Sequence, residues 1–227
     1  MIKKYLILVV SILSFSASAQ LYEAGVVVGG SNYIGDIGSE RYIWPNDFAF
    51  GGIFRYNHNP RVTYRAKVMY FSISDNDADS DNAGRQQRGY SFQNNIFEVS
   101  AGLEFSWWDY SLFSDDYRQT PYMFFDIAAI NYKTVDGQNT NGDFTYKNKT
   151  SVAVPFGLGY KAAVADNLVL SAEVGFRLTF SDDLDYNNED YPELDFGNPN
   201  SNDWYVFTGI SLTYSFGRLP CDSTRRL

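Results

Sequence analysis

The densest run of potential metal ligands is Asp75-Asn76-Asp77-Ala78-Asp79-Ser80-Asp81. Calcium loops take oxygen ligands from alternate positions, and Asp75, Asp77, Asp79 and Asp81 carry carboxylates at that spacing. Ser80 stands where such a loop needs glycine, and Gln86 where it needs a bidentate glutamate, so a solvated acidic loop is the competing reading. A second acidic run holds Asp182, Asp183, Asp185, Glu189, Asp190, Glu193, Asp195 and Asp203 without a base. It offers ligands to divalent cations or a basic partner, and otherwise reads as soluble surface. The single histidine, His58, sits beside Pro60 in a tight turn. The single cysteine, Cys221, excludes an internal disulfide framework and leaves either a free thiol or an intermolecular disulfide. Gly157-Leu158-Gly159 lies in a strand with no helix after it, so it is not a phosphate loop. This inventory supplies no catalytic residue and calls for no cofactor; the expectation is a protein that is not an enzyme.

Those residues need a scaffold. Lys3 and Lys4, an apolar run from Tyr5 to Phe15, and Ala17-Ser18-Ala19 form the three regions of a secretory signal peptide. The expected organisation is a signal peptide over residues 1–19, a barrel over 20–216 and a tail over 217–227. The chain holds 18 Tyr and 18 Phe, yet its mean hydropathy is -0.30. No later run approaches the roughly 18 apolar residues of a membrane helix. The net charge of -9 includes Lys3 and Lys4, so losing those two bases takes it to -11. Such an acidic chain does not suit nucleic acid.

Eight segments alternate in polarity between turn residues: 22–30, 48–57, 62–74, 95–109, 120–132, 151–164, 168–180 and 204–216. The last is the plainest: Trp204, Val206, Thr208, Ile210, Leu212, Tyr214 and Phe216 oppose Tyr205, Phe207, Gly209, Ser211, Thr213 and Ser215. Period-two alternation of this kind marks strands with two unlike faces. The segments exceed the usual strand of about 5–6 residues and suit the roughly 9–11 of a tilted spanning strand. Their connections alternate long (31–47, 75–94, 133–150, 181–203) and short (58–61, 110–119, 165–167). An even strand count with long and short connections predicts an all-β, eight-stranded antiparallel up-and-down transmembrane barrel of the outer-membrane type. Both termini then lie in the periplasm, and no helix is expected beyond the signal peptide. Tyr22, Trp107, Trp108, Tyr122, Trp204, Tyr214 and Phe216 are the expected interfacial girdles.

Strand parity also assigns the interior. Glu23, Arg55, Arg65, Lys67, Glu98, Glu104, Asp126, Lys161, Glu173 and Arg177 point inward, five acids and five bases. An eight-stranded barrel is about wide enough inside for its own side chains, so these charges must pair. The barrel size favours a structural plug; an ion or proton path is the functional alternative.

Several segments are also familiar in their order: Gly29-Gly30-Ser31-Asn32-Tyr33-Ile34-Gly35-Asp36, Arg85-Gln86-Gln87-Arg88-Gly89-Tyr90-Ser91-Phe92, Glu98-Val99-Ser100-Ala101-Gly102-Leu103-Glu104-Phe105, Thr120-Pro121-Tyr122, Val154-Pro155-Phe156-Gly157-Leu158-Gly159 and Gly175-Phe176-Arg177-Leu178-Thr179-Phe180-Ser181-Asp182-Asp183-Leu184-Asp185. Together, over nearly the whole mature chain, they resemble the PorG-like family of Bacteroidetes outer-membrane barrels. The resemblance implies a component of the type IX secretion system that ties the periplasmic ring of the PorK lipoprotein and PorN to the outer membrane, with no catalytic residue. The short turns and the tail would meet that ring, and Cys221 would be the covalent tether. A small channel and a surface-binding barrel with acidic loops are the alternatives.

Overall fold

The structure is a computed structural model that describes residues 21–39, 41–111, 118–140, 142–188, 190, 191, 194 and 202–217. The expected signal peptide, the tail with Cys221, and Glu189, Glu193 and Asp195 lie outside the described residues.

The chain forms β1 (Leu21–Ile34), β2 (Asp47–Asn57), β3 (Val62–Asn76), a 3-10 turn (Asp77–Asp79), α1 (Ala83–Arg88), β4 (Ser91–Ser106), β5 (Gln119–Gln138), β6 (Phe144–Ala165), β7 (Leu168–Thr179) and β8 (Trp204–Gly217). Each strand pairs antiparallel with its neighbours in sequence, and the sheet closes into a barrel. β1 meets β8 from Leu21↔Gly217 to Ile34↔Trp204. Closure leaves the barrel wall no edge strand, which is the condition for a sheet to stand in hydrocarbon.

The alternation is inside out relative to a water-soluble sheet. On β8, Ser211, Thr213 and Ser215 are buried, whereas Ile210 is 50%, Leu212 43% and Tyr214 53% exposed. The same exposed apolar row continues through Val26, Phe54, Val68, Val99, Leu103, Phe125, Ile127 and Leu158. Soluble proteins do not expose apolar surface on this scale; the outer wall is a lipid-facing surface. At the end that carries the termini, Tyr22 stacks on Tyr56 and Phe216 at ring distances of 5.4 and 5.8 Å. Trp107, Trp108 and Tyr214 are exposed at the same end, as a girdle requires. Tyr122 is the exception to the predicted girdle. It is fully buried, and its hydroxyl donates to Glu173 inside the barrel at 3.2 Å, because it shares the parity of Asp126.

Two connections differ from expectation. Residues 77–88 hold the 3-10 turn and a helix of one and a half turns. Asn82 caps that helix by accepting from the Gly84 N–H at 2.8 Å, and Gly89, at φ 71°, ends it. Six residues are too few for a helical period to register in sequence. Residues 133–150 are not a loop but a ribbon: β5 and β6 stay paired out to Gln138↔Phe144. β4 follows β5 only to Asn131, and β7 joins β6 only from Ala153, so the ribbon projects beyond the wall. Its polar residues on both faces hid it from the alternation test.

Candidate functional site

All ten predicted lumen residues are buried inside the barrel. Eight of them, all but Glu98 and Arg177, form a connected network in the half nearer the termini. Glu104 is its centre: its Oε2 accepts from Arg55 Nε at 3.0 Å, its Oε1 from Lys161 Nζ at 2.5 Å, and Arg65 lies 3.7 Å away. Arg55 also reaches Glu23 at 3.4 Å. Arg65 meets Asp126 at 3.2 Å and Glu173 at 3.4 Å, and Lys67 pairs with Glu173. Higher in the barrel Arg177 lies 3.6 Å from Glu98, which accepts from the Tyr205 hydroxyl at 2.6 Å. Aromatic faces complete the shell: the Arg65 guanidinium is 4.0 Å from the Phe124 ring centre, and Lys161 Nζ is 4.6 Å from that of Tyr110. Glycine makes the room. A Cβ on Gly159 would overlap the Tyr122 ring, so a larger residue there would evict the ring.

Above this layer the lumen turns apolar. Ile53, Met69, Phe71, Ile73, Phe92, Ile96, Ile130, Tyr132 and Phe207 form one buried cluster with Ile37 and Leu184 from the loops. At the opposite end Tyr110 folds under the wall and packs on Val169. Charged and aromatic side chains thus occupy the described lumen on both levels, the packing that the strand number permits.

The loops over the apolar layer are tied down by their own polar hubs. Asp77 is buried and accepts from the Gly38 and Tyr90 N–H groups, both at 3.0 Å, and from Arg88 Nε at 2.7 Å. Burial opposes its charge, but the Arg88 contact and the two N–H groups outweigh burial and hold the carboxyl below its usual range. Arg88 and Arg85 also donate to the Asp36, Gly38 and Gly35 carbonyls at 2.7–3.1 Å, so the second loop is stapled to the first. The four aspartates of the expected calcium loop do not converge in this geometry. Asp77 spends its oxygens on Arg88 and backbone, Asp75 accepts from Ser39 and Asn76, and Asp79 and Asp81 are exposed. Among the described residues no three Asp, Glu, His or Cys side chains are placed to hold a metal.

The last loop is likewise more than solvated surface. Asp183 accepts from Tyr132 Oη at 2.6 Å, Thr134 Oγ1 at 2.8 Å and Lys149 Nζ at 2.8 Å, all from the ribbon and the strand ends that lead into it. The Tyr33 hydroxyl lies between Asp203 and Asp185, 2.9 Å from the latter. One hydroxyl has one hydrogen to give, so one of the two carboxyls must bring its own. Burial, then their mutual repulsion, raises Asp203; burial foremost pushes Asp185 up to about 7. These contacts were hidden in sequence because the partners lie on distant strands. The hairpin beside His58 is plain: its N–H donates to the Val62 carbonyl at 3.1 Å, and the ring lies between Tyr56 and Tyr64.

A family profile described as domain of unknown function (DUF6089) matches residues 2–225. The chain belongs to the DUF6089 family. A search of curated proteins finds no match. Among solved structures, a major outer membrane protein from Thermus thermophilus aligns over 87% of this chain and 100% of its own, at 12% identity and a TM-score of 0.55. Neisserial surface protein A aligns over 88% and 99%, at 13% identity and a TM-score of 0.47. Ail of Yersinia pestis aligns over 88% and 99%, at 14% identity and a TM-score of 0.46. The Thermus likeness shows the fold: this DUF6089 member is an eight-stranded barrel of the outer-membrane type.

Proposed function

We propose that the chain is a sealed, non-catalytic barrel of the outer membrane that serves as an anchor, with both termini in the periplasm and its long loops outside. The observation that carries the reading is the lumen: ten buried charges held in ion pairs, an apolar cluster toward the loops and Tyr110 packed on Val169 toward the termini leave the ends and the lipid-facing wall to do the work. The order of motifs that resembles the PorG-like family supplies the partner. On that resemblance the anchored body is the periplasmic PorK/PorN-type ring of the type IX secretion system. The contact surface is then the termini end. There Arg61 meets Asp109 at 2.6 Å and Arg118 meets Asp166 at 3.3 Å, giving the short turns a charged face. Cys221, in the tail, would turn this contact into a covalent one, since the periplasm is oxidising.

The test is co-purification. An affinity tag placed in the ribbon tip, residues 139–143, allows gentle extraction of the native membrane and identification of bound proteins on reducing and non-reducing gels. Recovery of the ring lipoprotein and ring subunit is the expected result, with an adduct that C221S abolishes. A barrel recovered alone, while intact rings are present in the same sample, would overturn the partner assignment.

A further inference from the structure

The second half of the first loop does not rise from the barrel. It lies against the outer wall. Strand parity turns Asn32 outward, yet its side chain is buried, because residues 41–44 cover it. Asn32 Nδ2 donates to the Arg41 and Tyr42 carbonyls at 3.1 and 3.4 Å, and its Oδ1 accepts from the Trp44 N–H at 3.4 Å. The Asn46 N–H donates to the Ser31 carbonyl at 3.2 Å. Pro45 sits so close over Gly30 that a Cβ there would overlap the proline ring. Four polar contacts and one glycine thus press the segment flat on β1.

What the segment presents is unusual for a loop. Tyr42 is 68%, Ile43 52% and Trp44 58% exposed, three large apolar residues in a row. Ile43 lines the same apolar groove of the outer wall as Thr208, Ile210 and Val174. The Arg41 guanidinium lies 5.0 Å from the Trp44 ring centre, so the one base of the segment travels with its indole. An amphipathic ring with a cation beside it suits the boundary between acyl chains and phosphate headgroups.

We propose that residues 41–44 are a membrane hook. Tyr42, Ile43 and Trp44 enter the lipid leaflet on the loop side, and Arg41 binds the lipid phosphates of that leaflet. The occupant is lipid because the three side chains continue the hydrocarbon-facing wall through Ile43 and the groove, and because the accompanying charge is positive. This inference rests on the membrane placement proposed above. The hook holds that side of the barrel at a fixed depth, independent of any contact at the termini end.

The test uses the full mature chain refolded into phosphatidylglycerol-containing vesicles with phospholipids brominated at shallow acyl positions. One variant keeps only Trp44 (W107F, W108F, W204F). A second keeps only Trp107 on the girdle of the other end. Comparable quenching of both, with blue-shifted Trp44 emission, is expected. Quenching of Trp107 with Trp44 left water-exposed would overturn the hook while leaving the membrane placement intact, and would hand the tripeptide to a protein partner. Absence of quenching in both folded variants would overturn the membrane placement and the hook together. R41Q in the Trp44-only chain should lose the quenching gained on adding phosphatidylglycerol; unchanged quenching would overturn the phosphate contact. Should the Phe-substituted chain not refold, a nitroxide on W44C in a C221S chain reads the same depth.

Discussion

Near the termini the lumen holds eight of its ten buried charges; near the loops rings and aliphatic chains dominate and surround the one remaining pair, Arg177 and Glu98. In the lower half each ionic partner stands on a strand rung, as Glu23 stands opposite Arg55 in the β1–β2 register, so the wall fixes the geometry. In the upper half the fillers come partly from loops: Ile37 and Leu184 enter the cluster formed by Phe71, Ile96 and Ile130. Buried charges need defined partners on every side, whereas apolar packing asks only for volume. The barrel therefore keeps its charges where strands hold them and closes the looser end with hydrocarbon.

The sharpest way to break this contrast is Glu104→Gln. It leaves Arg55 and Lys161, both within 3.0 Å of the present carboxylate, without their shared counter-charge. A loss of about 3–5 kcal/mol is expected, read as the urea midpoint of the refolded protein in vesicles.

The cap over the apolar layer should respond to pH. Burial has raised the Asp185 carboxyl to about 7, against about 3.9 in a free chain. Between those values the closed loop holds a proton that the open loop has released, so closure weakens as pH rises through that window and levels off above it. Tyr33, Asp203, Asp36 and Asp182 face or influence this carboxyl, and no base is among them. The Leu184 N–H donates to Asp203 at 3.0 Å, and its hydrogen-exchange protection factor should fall several-fold from about pH 5 to about pH 8. D185N should flatten that dependence; an equal fall in D185N would remove the carboxyl pair from the explanation.

In the apolar layer Ile96→Val removes one buried methyl group and should cost only about 0.5–1.5 kcal/mol by the same urea assay. A cost equal to that of Glu104→Gln would erase the contrast between the halves. The smallest effect belongs to the surface pair Arg61–Asp109, whose side chains are more than half exposed. Arg61→Ala should change stability by no more than about 1 kcal/mol, and less at high salt.

Strand parity made the lumen legible. One alternating row per strand placed Glu23, Arg55, Arg65, Lys67, Glu98, Glu104, Asp126, Lys161, Glu173 and Arg177 inside, because period two leaves a side chain only two choices. The same rule, applied to Tyr122, would have put it inside with Asp126; nearness to a strand end suggested a girdle instead, and parity prevails. Contacts that bring distant strands together were not legible. Nothing in sequence joins Tyr33 to Asp185 and Asp203, or Lys149 to Asp183. The ribbon escaped because Thr145, Lys147 and Lys149 alternate with other polar or half-exposed residues, so neither face stands out. The hook escaped because its anchor, Asn32, is an outward strand position whose partners follow nine to twelve residues later, in a segment that reads as plain loop.

The most direct test of a sealed barrel is electrical. The purified full chain should be folded into planar bilayers at neutral pH and its conductance recorded over a range of voltages. The charge network and its caps predict silent membranes in which folded protein is nonetheless present. Steady single-channel currents from the same preparation would contradict a sealed barrel, since ions would then be crossing a lumen occupied by the paired charges and the apolar cluster.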